Sequence, residues 1–501
     1  MKNKIKLILL LLGTALFTIL FWKRSLGINA GLFSVFLVAV ALFSFPETFK
    51  NKKGLIILSG TLISGLAVAY HASGFAVFVW IVSIFFVQPF VHYKEFRTFF
   101  FAGFSAFIDF ITSFVLIKEN LNPAKKTHKK AKKIFKIIRL IIIPIIVFWI
   151  FYQIYKLAVP EFDKLTDGFF GKITIWLNNI FASISFSSIF FTLWGLFILS
   201  WIIYKRQNNF LLSEELKFGE NVNRKSKELF KFSNPRGLKP LLKFENLIGV
   251  ILLVSVNILL LFVNILDITT IWIGFEYTGD QNLKQFVHEG TYLLILSILL
   301  SMGILLYMFR NKLNFYRKNK YLKIFSYVWI IQNLVLLSSV IIRNLHYIKH
   351  FALAYLRIGL FFFLALVIVG LVTLVIKIHK HKNLFYLIKI NSWALYVGFV
   401  LFALPDWDII IAKYNLNHYP EAFVEASFLL TLDAKTYPII DQHREILNQD
   451  PALNTYRYFS LNYNEEFDQK VDTFVEQYKK KTFIELNYAD LKSFLYFKEK
   501  F

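Results

Sequence analysis

Cysteine is absent from all 501 residues. Its absence removes disulfides, thiolate metal sites and cysteine nucleophiles together. Histidine numbers only ten, so a metal site would have to rest on imidazoles and carboxylates. Acid is scarce in most of the chain: residues 1–404 hold 46 Lys/Arg against 16 Asp/Glu, whereas residues 405–501 hold 11 against 16. There is no nucleophile elbow, phosphate-binding glycine loop or dinucleotide fingerprint. His288-Glu289-Gly290-Thr291-Tyr292 lacks the second histidine of a zinc-protease motif. No internal repeat or long low-complexity stretch stands out. The sequence therefore specifies no metal, no cofactor and no catalytic residue, and it leans away from an enzyme.

What the chain has instead is apolar length. Apolar residues make up 56% and mean hydropathy is +0.54, too high for a water-soluble protein of this size. A helix needs about 20 mostly apolar residues to cross a hydrocarbon core of about 30 Å. Runs of that kind recur at Leu7–Trp22, Ile28–Phe45, Gly54–Tyr70, Gly74–Val91, Thr98–Ile117, Ile137–Ala158, Phe186–Tyr204, Leu247–Ile268, Val287–Phe309, Tyr321–Ile342, Leu353–Ile376 and Leu384–Ala403. The expected fold is all-α: a polytopic helical membrane protein with about 11–12 transmembrane helices and a small helical C-terminal soluble domain. Leu7–Trp22 follows Met1-Lys2-Asn3-Lys4-Ile5-Lys6 and resembles a secretory signal. It runs into Lys23-Arg24 without a small-residue cleavage site, so it reads as an uncleaved first span.

The lysines alternate with apolar runs and do not form one basic domain, which argues against nucleic acid as a partner. Cytoplasmic loops accumulate Lys and Arg. On that rule the segments 118–136, 205–245, 309–323 and 377–383 face the cytoplasm, where they would meet anionic lipid headgroups. The alternate connections 159–185 and 269–286 face outward, the first as a loop with a short interfacial helix, and so does the tail. The organisation expected is N-terminal membrane helices over 1–117, a basic cytoplasmic loop over 118–136, a helix bundle over 137–404 and an extracytoplasmic helical tail over 405–501, open to protein partners. A cytoplasmic N-terminus and a cytoplasmic 118–136 loop require an even number of crossings, yet five candidates precede that loop. Thr98–Ile117, rich in Phe and carrying Asp109 at its middle, is the one expected not to span; an external N-terminus is the alternative. Aromatics, 18% of the chain, crowd span ends as interfacial anchors.

Polar residues in or beside spans are the pointers to a site. His288 and Glu289 open the ninth span, Arg343 and Asn344 close the tenth with Tyr347 one turn on, and Tyr355 and Arg357 begin the eleventh. Asp267 ends the eighth, above Asn264 and Asn257; Asn391 lies within the twelfth, and Asp406 follows it. One reading is an outward polar cavity in which Glu289, Arg343 and Arg357 bind an anionic group, since guanidinium offers paired donors in a plane. The competing reading is structural: Glu289 pairs with Arg343 or Arg357, and the asparagines join helices. Asp406 and Asp408 flank Trp407 and suit either a cation or a helix cap.

Tyr347 with Phe351-Ala352-Leu353-Ala354-Tyr355-Leu356-Arg357, the junction Pro405-Asp406-Trp407-Asp408 through Leu416, and Leu432-Asp433-Ala434 ahead of Pro438 resemble an uncharacterised family of bacterial membrane proteins, domain of unknown function 4173, with its relative 4153. The likeness covers roughly residues 240–450 and departs from the family at Phe351-Ala352, where glycine is usual. It implies a bacterial inner-membrane protein and carries no known activity, so no catalytic residue transfers. Three functions fit the residues: a non-enzymatic scaffold, sensor or assembly component; a transporter of an anionic solute; or an enzyme on a lipid-linked or phosphate-bearing substrate with Glu289 or His288 as base.

Overall fold

The structure is a computed structural model that describes residues 2–113, 148, 152, 166, 186–206, 209–222, 235–275, 283–309, 312–419, 421–448, 457–458 and 461–500. The readings for 118–136, the span 137–158 and the connection 159–185 fall outside the described residues, apart from isolated helical positions. The protein is an all-α polytopic membrane protein. Among the described residues, eight helices are long and apolar enough to cross a membrane.

In chain order the helices are α1 (Lys2–Phe21), α2 (Ile28–Ser44), α3 (Lys52–His71), α4 (Gly74–His92), α5 (Phe99–Ile111), α6 (Phe186–Ile203), α7 (Phe210–Leu216), α8 (Pro235–Asp267), α9 (Leu283–Met308), α10 (Lys320–Phe351), α11 (Tyr355–Lys380) and α12 (Leu384–Phe402). The tail adds α13 (Trp407–Asn417), several short turns of helix, α14 (Tyr463–Lys479) and α15 (Tyr488–Lys500). Local chemistry sets many of the boundaries. Ser73, Thr98, Asn209, Asn383 and Asp406 each accept a backbone N–H of the helix that follows, the usual work of an N-cap. Pro405 cannot continue α12. At its end α8 widens into one π-helical turn, Ile268–Ile273. An antiparallel pair of two-residue strands, Arg457–Tyr458 with Leu461–Asn462, is too short to leave an alternation signature in sequence.

Three apolar cores organise the molecule. The first joins α1–α5 and α6 with Trp393, Tyr396 and Val400 of α12. The second joins α8, α9, α10 and α11. The third is the tail's own, built around Ile411, Leu429, Ile440 and Phe467, and it reaches Ala352 and Ile358 of the bundle. Between the first two cores, α12 packs along α11 while its Tyr396 hydroxyl donates to Ser83 Oγ at 3.0 Å. Gly60 makes that approach possible, because a Cβ there would lie 2.1 Å from the Tyr396 oxygen.

The two ends of the bundle differ. The last residues of α1, α3, α10 and α12 and the first of α2 and α11 gather under the tail. Ile28 N donates to Leu486 O at 2.9 Å, Phe423 N to His350 O at 2.8 Å, and Tyr70 stacks on Tyr488 at 5.4 Å. Asn415 clasps the α10–α11 turn, accepting from Leu353 N and donating to Leu353 O. The opposite end carries the lysines: Lys4, Lys50, Lys52, Lys94, Lys205, Lys217, Lys320, Lys380 and Lys382 all belong to helix starts, helix ends or turns there.

Candidate functional site

The polar residues singled out from sequence resolve into two clusters at the tail-covered end. In the first, Arg343 Nη2 meets Asp267 Oδ1 at 2.5 Å, both side chains nearly buried. Asp267 ends α8 at the depth where Arg343 projects from α10, and the two side chains pair. The side chains of His288 and Glu289 lie outside the described residues. Arg357 turns back over its own turn: its guanidinium donates to Phe351 O at 2.5 Å and to Ala352 O, and it lies 4.3 Å from the centre of the Tyr347 ring. Asn344 Nδ2 donates to Arg357 O at 3.0 Å. Ala352, between those two carbonyls and Arg357, sits at φ 61° and ψ −167°, a region that residues other than glycine rarely enter.

The second cluster joins bundle to tail. Asp406 and Asp408 begin α13, and the cation between them is Lys435. Its Nζ, 1% exposed as a side chain, lies 2.7 Å from Asp408 Oδ2, 3.3 Å from Asp406 Oδ1 and 3.3 Å from Asp433 Oδ2, and it donates to His71 O at 3.1 Å. That last bond ends α3 on the tail across 364 positions of sequence. Tyr355 donates its hydroxyl to Asp408 Oδ1. Burial alone would pull the Lys435 pKa down; the carboxylates of Asp406 and Asp408 outweigh it, and the net shift is upward from 10.5. Asp406 also caps α13, with Ile409 N 3.4 Å from its Oδ1.

Asn391 is not brought together with these residues. It bonds Thr373 Oγ1 at 3.0 Å and Leu387 O at 2.9 Å, nearer the lysine-rich end, and ties α12 to α11. Asn257 and Asn264 join α8 to α10: Asn257 Nδ2 reaches Phe325 O at 3.0 Å, Gln332 Nε2 reaches Asn257 Oδ1 at 2.8 Å, and Asn264 Nδ2 reaches Gln332 O at 3.1 Å. Sequence reasoning missed Lys435 and His71. The signal available for Lys435 was indirect: two neighbouring aspartates at a membrane edge require a cation. Among the described residues no group of three or more His, Asp or Glu side chains is set to hold a metal ion.

The helices and their internally paired polar groups define a multi-pass integral membrane protein with a docked tail. Within that class, the chain matches the family described as Domain of unknown function (DUF4153) over residues 32–443, and it belongs to that family; of the two related families it resembles, this is the one matched. The matched region takes in Lys435 and stops ahead of α14. No curated protein and no solved structure matches the chain.

Proposed function

We propose that this protein is a non-enzymatic membrane scaffold whose tail is a fixed extracytoplasmic platform for a protein partner, with the lysine-rich end in the cytoplasm. The observation that carries the reading is the Lys435 junction. Ordering a tail against a bundle with a buried, charge-paired lysine costs conformational freedom that a loosely tethered domain would keep, and the result is a surface of fixed orientation. The exposed acids Asp472 and Glu476 of α14 are where a basic partner would seat. Positive-inside bias supports the sidedness.

Two measurements test this. The chain has no cysteine, so a single Thr473→Cys variant reports sidedness: a membrane-impermeant maleimide should label it in intact cells. A photo-cross-linker at position 472 should give one discrete adduct, lost when Lys435→Met releases the tail. Anion transport is the rival. It needs Arg343 as a ligand, whereas the scaffold needs it only as the partner of Asp267. The double change Asp267→Leu with Arg343→Met keeps volume and removes both charges, which is often neutral where either single change is costly. Proteoliposomes that accumulate an anion, and stop doing so in the double variant, would overturn the scaffold reading.

A further inference from the structure

We infer that α5 is an in-plane interfacial helix whose outer face takes anionic phospholipid at the lysine-rich end of the bundle. Its 13 residues reach about 20 Å, short of a hydrocarbon core of about 30 Å. More telling is that both its ends lie at one depth. At the start, Phe99 packs on Phe86 at 4.6 Å and Phe90 at 5.1 Å; at the finish, Phe110 packs on Phe197 at 4.6 Å and Trp201 at 5.4 Å. Phe86 precedes the last residue of α4 by six positions, and Phe197 precedes the last residue of α6 by six. The α4 and α6 rings that these two ends touch therefore lie about 3–9 Å in from their helix ends, the depth at which interfacial helices rest.

Polar bonds fix the helix there. Glu215, at the end of α7 and fully buried, accepts from Thr98 N at 2.8 Å, Thr98 Oγ1 at 2.6 Å and Arg97 N at 2.9 Å. At the other end Asp109 accepts from Arg206 Nε at 2.6 Å and Gln88 Nε2 at 2.9 Å. Asn209 Nδ2 reaches Ser105 Oγ at 2.5 Å, so α7 lies antiparallel beside α5. The buried face is Ala102, Ser105, Ala106 and Asp109. The opposite face shows Phe100 at 60%, Phe104 at 53% and Phe107 at 48% exposure, at the i, i+4, i+7 spacing of one helix side.

Charge selects the lipid. Exposed Lys50, Lys52 and Lys94 lie in turns and at helix ends on the α5-start side, and half-buried Lys205, over the Tyr93 ring, lies on the other. The acids of α5 and α7 are turned to partners: Asp109 to Arg206, Glu215 to Thr98, Glu214 to Lys217. Glu47 and Glu95 are the exposed acids near this face among the described residues. An apolar stripe rimmed by ammonium groups fits acyl chain and anionic headgroup together. The inference is independent of the scaffold reading and of which side the lysines face.

The test uses the full chain reconstituted in bilayers, with an environment-sensitive thiol probe on Phe104→Cys or, as a second site, Phe107→Cys. A control on Leu259→Cys sits mid-span on α8, where Leu259 is 64% exposed. Brominated phosphatidylglycerol should quench the α5 probes at least about twofold more than brominated phosphatidylcholine at equal mole fraction, and quench Leu259 equally. Lipids brominated near the headgroup should quench the α5 probes more than those brominated near the chain ends, with the reverse at Leu259. Lys50→Gln, Lys52→Gln and Lys94→Gln together should bring the headgroup preference towards one. Added inorganic phosphate should leave it unchanged, which separates a lipid from a free anion. Equal quenching by both headgroups, a depth profile like that of Leu259, or no quenching at all would overturn the inference.

Discussion

Carboxylates meet cations at both ends of this bundle, in opposite ways. Under the tail, Asp406, Asp408 and Asp433 converge on one lysine, and that lysine reaches His71 O, 364 positions away. At the lysine-rich end, Asp109 and Glu215 are each surrounded by donors, and their bonds hold one short helix in place. Acid is in excess at the first and base at the second. The difference teaches that the charge asymmetry of the sequence sets more than sidedness. Where acid accumulates, a rare lysine becomes the keystone of a tertiary junction; where base accumulates, a rare acid becomes the anchor of a local element. In both places the minority charge is the one whose removal matters.

The largest effect should come from breaking the tail junction at its minority charge. Lys435→Met leaves Asp406 and Asp408 buried without their cation, and breaking a buried pair from one side costs about 3–5 kcal/mol. The tail of the reconstituted protein should become protease-sensitive while the bundle stays protected. Adding Asp406→Asn and Asp408→Asn should recover most of the loss, since the uncompensated charge goes with them. A pH series applies the same break reversibly. Because the folded Lys435 pKa is raised above the unfolded 10.5, its contribution is complete below about pH 10.5 and fades as pH rises through the higher folded value. Tail protection should hold flat from neutral pH to about pH 10 and fall beyond it; a fall near neutrality would mean that another group controls docking.

A smaller effect isolates the tail's second attachment. A Cβ on Gly27 would lie 2.4 Å from Leu486 O and 2.6 Å from Glu485 O, backbone atoms that cannot swing aside. Gly27→Ala should cost about 1–3 kcal/mol, as overpacking does, and should raise hydrogen exchange at Ile28, whose N–H donates to Leu486 O. Gly74→Ala is the control, since a Cβ there meets nothing within 4 Å. If Gly27→Ala frees the whole tail, the two attachments act as one cooperative unit. If it loosens only the end of the tail, the Lys435 junction stands alone.

Much of this was legible from apolar length and charge sign alone. Span positions follow from runs such as Leu384–Ala403 closed by Pro405, and Asp109 in a Phe-rich run marks α5 as an unusual segment before any contact is known. Asp406 and Asp408 could be seen to need either a cation or a helix to cap. The identity of the cation could not, because Lys435 lies in a soluble tail and its approach to His71 is purely tertiary. The pairing of Arg343 was equally out of reach. Asp267, Glu289 and the two arginines share one depth in sequence terms, and only the rotation of α8 against α10, set by side-chain packing and by Asn257 and Asn264, decides which acid an arginine meets. Arg357 spends its donors on backbone carbonyls of its own turn, an arrangement that composition and spacing do not encode.

The smallest effect concerns that turn and would sharpen the comparison from the other direction, by stabilising the tail-covered end. The α10–α11 connection needs a residue at φ 61° and ψ −167°, and this chain places Ala352 there. The backbone geometry favours glycine there: without a Cβ the region is open, with one it costs about 1–3 kcal/mol. Ala352→Gly removes that strain. Against it stand the added freedom of the unfolded chain, about 0.4–1 kcal/mol, and the lost burial of one methyl, about 0.8 kcal/mol. The balance should be a gain of about 0.5 kcal/mol, and at most about 2 kcal/mol, read as a small upward shift of the unfolding transition in the tail and the α10–α11 end. The clasp of Arg357 on Phe351 O and Ala352 O should survive, because it uses carbonyls that glycine also presents. A loss of stability would show that the Ala352 methyl, packed into the tail core, outweighs the strain. The tail would then hold the turn in its unusual conformation, so that releasing it by Lys435→Met should make the same Ala352→Gly change favourable.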